Sequence, residues 1–188
     1  MKRIVILGVA LVASFSLVAV DAISVSASGD EFVASKTGKI KSKQANAQKF
    51  KTSAGTIECT EVTGSSEITE LKSVTHTEVL TFGGCTGFGG SITISSATLE
   101  LNANGSAKLE KRVTMKPEGA GCSVFIEPQT LASGVNYTNA AGGKVTVELT
   151  LTKIHSKGTG GACGGENNEG SYTGKLSSEL EGGTIEVS

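Results

Sequence analysis

Four cysteines and two histidines carry most of the chemistry available to this chain of 188 residues. Cys59, Cys85, Cys122 and Cys163 include no Cys-x-x-Cys pair, and their spacing fits no zinc finger or ribbon. They are expected as two structural disulfides. Several pairings are open in principle. The sequential one, Cys59–Cys85 with Cys122–Cys163, closes two loops of moderate length without crossing. It also ties down the glycine-rich stretch 158–170, which has little apolar content of its own. His76 and His155 are the only side chains that titrate near neutral pH without a large shift. His76 shares parity with Leu80 and Phe82 at the edge of a buried face, and His155 follows Ile154 at a strand end, so both are expected as ordinary strand positions.

Other routes to catalysis close quickly. Glu166 and Glu169 are the best carboxylate pair for sugar hydrolysis, yet a glycosidase grips sugar with aromatic platforms, and the chain has six Phe, two Tyr and no Trp. The nucleophile elbow Gly-x-Ser-x-Gly and the metalloprotease pattern His-Glu-x-x-His are absent. Asp30 is the only aspartate after Asp21, too few for a calcium loop. The glycines between 83 and 90 lead into a strand rather than a helix, so they cradle no phosphate. No catalytic residue, metal ligand or cofactor is expected, and the chain reads as a non-enzyme. The aromatic residues that could hold a ligand are Tyr137, Tyr172, Phe82 and Phe88. On an exposed coplanar strip they would bind carbohydrate; around an internal void they would bind an apolar molecule; buried in the core they would do neither.

Charge adds one further candidate. Between residues 30 and 51, Lys36, Lys39, Lys41, Lys43, Lys49 and Lys51 face only Asp30 and Glu31. A basic face of this kind could hold an anionic wall polymer or surface glycan. The expected reading is simpler: Lys39, Lys41 and Lys43 alternate with Ile40 and Ser42, as on an exposed edge strand guarded against aggregation. The overall net charge of −1 argues against nucleic acid as a partner.

The elements that must position these residues begin after a secretory signal. Met1-Lys2-Arg3, the apolar run 4–20 and the small residues that follow form the n-, h- and c-regions of such a signal. Cleavage fits after Ala27, the preferred point, or after Ala22. The expected organisation is a signal peptide over 1–27 and a single all-β domain over 28–188, secreted, with the cell wall as a site of retention. Beyond the signal, strands dominate. Val145, Val147, Leu149 and Leu151 alternate with polar residues, and residues 76–82 do the same. Residues 91–102 change phase between Ile94 and Leu99, as a bulge near Ser95-Ser96 would allow. Asn104-Gly105, Gly142-Gly143 and Gly182-Gly183 mark tight turns. About ten short strands with glycine-rich turns predict an antiparallel β-sandwich, with a closed antiparallel β-barrel as the alternative.

Gly55-Thr56-Ile57-Glu58-Cys59, Gly84-Cys85-Thr86, Cys122-Ser123-Val124, Val135-Asn136-Tyr137-Thr138-Asn139 and Gly170-Ser171-Tyr172-Thr173-Gly174 together resemble a group of small secreted β-proteins of soil actinobacteria, of the Thermoleophilia type. The likeness covers residues 32–188. It implies export and an all-β fold, with no assigned function, substrate or catalytic residue. Members of that group often carry a third cysteine pair, which this chain lacks around residues 99–115. The resulting expectation is a secreted, non-enzymatic β-domain that acts by surface contact with a cell-wall polymer or an extracellular protein. The alternative is a carbohydrate- or apolar-ligand-binding module.

Overall fold

The computed structural model describes residues 26–27, 31–161 and 163–188. The expected signal peptide lies outside the described residues except for its last two positions. Every regular element described is a strand: β1 (Ser26–Ala27), β2 (Phe32–Ala34), β3 (Gly38–Gln44), β4 (Gln48–Thr52), β5 (Gly55–Ile68), β6 (Lys72–Ser73), β7 (Thr75–Gly87), β8 (Gly90–Ile94), β9 (Ala97–Asn102), β10 (Ala107–Leu109), β11 (Val113–Pro117), β12 (Ser123–Ile126), β13 (Gln129–Leu131), β14 (Val135–Ala140), β15 (Lys144–Thr159), β16 (Glu166–Leu180) and β17 (Ile185–Val187). That is more than the ten expected, because several hydrophobic runs are cut by corners into pieces with different neighbours. All pairings are antiparallel.

Two long antiparallel pairs form the frame. β5 pairs with β7, and β15 with β16, over most of their lengths. Shorter strands join the two frames. β3 and β4 both lie between β5 and β16, while β8, β11 and β12 link β7 to β15 on the other side. The long strands change partners along their length, so the result is an antiparallel sandwich and not a clear barrel. β17, β2 and β6 form a separate small sheet.

Alternation explains the burial. Along β7 the pattern is strictly exposed–buried from Thr75 to Thr81, and along β15 Val145, Val147, Leu149 and Leu151 all point inward. Leu176, Ile57, Met115 and Val124 complete a core of Val, Ile and Leu in which aromatic residues are few. The turn at Asn104-Gly105 joins β9 to β10 with Gly105 at φ 85°, as that dipeptide requires. Ser95-Ser96 is a corner, not the expected bulge. β8 ends at Ile94 on β11, β9 starts at Ala97 on β7, and Ser95 exchanges hydrogen bonds of 2.9 Å with the backbone of Thr114.

Both disulfides form in the expected pairing. Cys59 and Cys85 are directly opposite in the β5–β7 ladder, with Cα atoms 4.0 Å apart. Cys122–Cys163, with Cα atoms 5.7 Å apart, joins the start of β12 to the glycine-rich connection after β15.

Candidate functional site

The lysines of β3 and β4 do not lie on an edge. The two strands are collinear, separated by residues 45–47, and each is hydrogen-bonded to β5 on one side and β16 on the other. Edge protection therefore does not explain them. Their outward side chains form one file, Lys39, Lys41, Lys43, Lys49 and Lys51, all exposed. Cross-strand neighbours divide the file. Lys49 is bridged to Glu58 at 3.2 Å, and Lys41 to Glu181. Lys43 lies between Ser177 and Thr63, and Lys51 between Ser171 and Thr56. The Lys43 row continues outward on both flanks as a belt of hydroxyls, Thr138–Thr146–Ser177 on one and Thr63–Thr81 on the other. Ser171 and Lys43's partner Ser177 are six positions apart on β16, so Lys43 and Lys51 stand on the order of 20 Å apart.

The four candidate aromatic residues form no exposed strip. Tyr137 is buried, donates its hydroxyl to Asn102 O at 3.0 Å and meets Phe32 edge-on at 5.2 Å. Tyr172 is buried and donates to Gln48 Oε1 at 2.6 Å. Burial pushes both phenols up, and the carboxyl of Glu78 adds to this. Phe82 is half-buried and meets Phe50 and Tyr172 edge-on at centroid distances of 5.3 and 6.5 Å. Phe88 is half-buried in the β7–β8 turn at φ 52° and covers Gly55. The aromatic trio of Phe50, Phe82 and Tyr172 bounds an apolar cavity of about 40 Å³ that also touches β9, β10, β11, β12, β13 and β15. Apart from Gln129 and the Tyr172 phenol, its lining side chains are hydrocarbon.

A polar cluster occupies the other part of the interior. Glu78 is 1% exposed and sits on the inward face of β7 with His76, whose ring is 3.0 Å from Ser66 Oγ. Ser42 and Ser178 share a hydrogen bond of 2.7 Å beside it. Burial raises Glu78 to about 7, opposed by a hydrogen bond from Ser42, and lowers His76 to about 4. Glu78 Oε1 has no hydrogen-bond partner among the described residues. A histidine with so low an affinity for protons is a poor general base. His76 lies inside as its parity predicts, whereas the buried Glu78 and Gln48 are not among the residues expected in the core. The same parity that puts His76, Leu80 and Phe82 on the core face puts Glu78 there.

The remaining candidates do not converge. Glu166 is exposed and paired with Lys157 at 3.3 Å, and Glu169 is exposed further along β16. His155 is exposed, with its backbone held by the Gln129 side chain. Among the described residues, no group of three or more His, Cys, Asp or Glu is placed to hold a metal ion. Comparison with family models, curated proteins and solved structures finds no match for this chain.

Proposed function

We propose that the chain is a secreted, non-enzymatic binding domain that holds an anionic, hydroxyl-rich polymer of the cell wall on the face centred on β3 and β4. The observation that carries this reading is the lysine file on strands that are central in the sheet. There, the residues directly opposite Lys43 and Lys51 carry hydroxyls, and the nearest carboxylate on the β16 side, Glu179, is diagonal to Lys43 and bridged to Lys144. A long-chain cation flanked by hydroxyl groups suits a repeating anionic polymer: the charges steer and hold it, and the hydroxyls hydrogen-bond its sugars or polyols. Export is supported by the amino-terminal sequence pattern and by two oxidised cysteine pairs, which persist in oxidising compartments.

The test is co-sedimentation of the protein with cell walls, either intact or chemically stripped of anionic polymer, at low and high salt. The expected result is retention on intact walls, loss on stripped walls and weakening with salt. The double variant Lys43→Glu/Lys51→Glu is expected to bind at least about tenfold less. Equal retention on stripped walls, or full retention of the double variant, would overturn the reading.

A further inference from the structure

A gap in the sheet lies against the apolar cavity. On its side away from β16, β15 pairs with β14 over residues 144–149 and with β12 over 156–159. Between these stretches no backbone ladder covers β15; a single backbone bond, Thr150 N to Gly134 O at 2.6 Å, closes its near end. β13 runs alongside but pairs only with β10. A side chain fills the gap. Gln129 Oε1 accepts from His155 N at 2.9 Å, and Gln129 Nε2 donates to His155 O at 3.0 Å. Beyond the Thr150–Gly134 bond the amide thus imitates a ladder residue, using a side chain at His155 where the flanking wall uses backbone. Opposite it β15 is irregular: Lys153 sits at φ 57°, and the register with β16 shifts on both sides of Ile154.

The cavity lies directly inside this seam. Gln129, Leu131, Leu151 and Ile154, which flank the gap, also line the void. Its volume of about 40 Å³ exceeds what one water needs. Water gains nothing there, because the Gln129 amide already bonds His155 and Glu127 and the Tyr172 hydroxyl is turned to Gln48. Protein interiors hold few voids larger than a water molecule, and apolar voids stay dry and accept apolar guests.

We propose that this cavity is a binding site for the end of an unbranched alkyl chain, admitted through the β13–β15 seam with Gln129 as the gate. The polar end of such a ligand stays outside, since nothing polar in the cavity is free to receive it. A backbone ladder would have to break to open the wall elsewhere; here one side chain turns. The site is separate from the lysine face and does not depend on its function.

The experiment uses the whole folded protein with 1-hexanol as the alkyl probe and xenon as a probe of the void alone. Methyl NMR signals of Leu99, Leu131, Leu151 and Ile154 are followed together with the Tm. Hexanol is expected to shift these methyls and to raise Tm by about 5 °C at a hundredfold excess over its Kd. Ala97→Ile, which fills the void from β9, is expected to abolish both effects while the protein remains folded. Leu131→Phe provides the same reading if Ala97→Ile does not fold. Gln129→Ala is expected to speed hexanol exchange without moving the site. Response to xenon but not to hexanol would overturn the alkyl assignment. No methyl response to either probe, or an undiminished response in the filled variants, would overturn the site.

Discussion

His76 and Glu78 project from the same face of β7 into the interior, and each resists its charged form. Glu78 titrates at about 7 when folded, against an ordinary value of 4.5. Between these values the unfolded chain releases the proton and the native chain keeps it, so stability falls as pH rises. His76 titrates at about 4, against 6.5. There the unfolded chain takes up a proton that the native chain refuses, so stability falls as pH drops. From pH 4.5 to 6.5 the two slopes oppose each other, and the wild type should show almost flat stability. His76→Phe exposes the glutamate's slope, a loss of about 1.4 kcal/mol per pH unit on going up. Glu78→Gln exposes the histidine's slope in the reverse direction. Urea midpoints measured at half-unit pH steps check this; if both variants run parallel to the wild type, the assignment is wrong. The groups around this pair, Ser42, Ser66, Ser178, Tyr137 and Phe32, bring no second charge to the cluster.

Within the strands, the interior polar groups depend on glycines across the sheet. A Cβ on Gly64 would overlap Glu78 Oε1, and a Cβ on Gly174 would overlap the amide of Gln48. Gln48 is wholly buried and bonds Tyr172 and Lys175 O. Gly174→Ala should therefore expel Gln48 and destabilise the protein by about 1–3 kcal/mol. The change would be seen as a lower denaturation midpoint and altered Tyr172 absorbance or fluorescence; unchanged stability would mean that the amide has room elsewhere. The same scale bears on processing. Ser26–Ala27 pairs with Thr138 and Tyr137 of β14. Cleavage after Ala27 would remove that strand, whereas cleavage after Ala22 keeps it. Amino-terminal sequencing of secreted protein distinguishes the two points: the preferred cleavage after Ala27 gives a start at Ser28 and a mature protein without this strand, and a start at Ile23 would refute it.

For the molecule as a whole, the two disulfides act differently. Cys59–Cys85 reinforces strands already joined by a ladder. Cys122–Cys163 spans 41 residues and anchors a connection whose other ties include Gly158 N to Gly165 O at 3.0 Å and Cys163 N to Gly160 O at 3.3 Å. Removing either pair should cost about 3–4 kcal/mol through the unfolded chain. Only Cys122→Ala/Cys163→Ala should also loosen residues 158–165 in the native state. Hydrogen exchange separates the two cases, and equal protection of that connection in both double variants would refute the distinction.

Much of this architecture is readable from the chain alone. Alternation at Val145–Leu151, the Asn104-Gly105 turn and the sequential cysteine pairing all hold in the structure. Each depends on a property of a short segment: which face a residue takes, which backbone angle a turn needs, or how far a loop must close. Neighbour choice is not local. Lys39, Lys41 and Lys43 alternate as an edge strand would, but alternation records only which side chains meet water, not what lies on either flank. Partners from β5 and β16 place them at the centre of a face. Buried Glu78 and Gln48 are admissible only because Gly64 and Gly174, distant in sequence, leave space across the sheet. The cavity and its seam are what many strands together fail to fill, so no one segment encodes them.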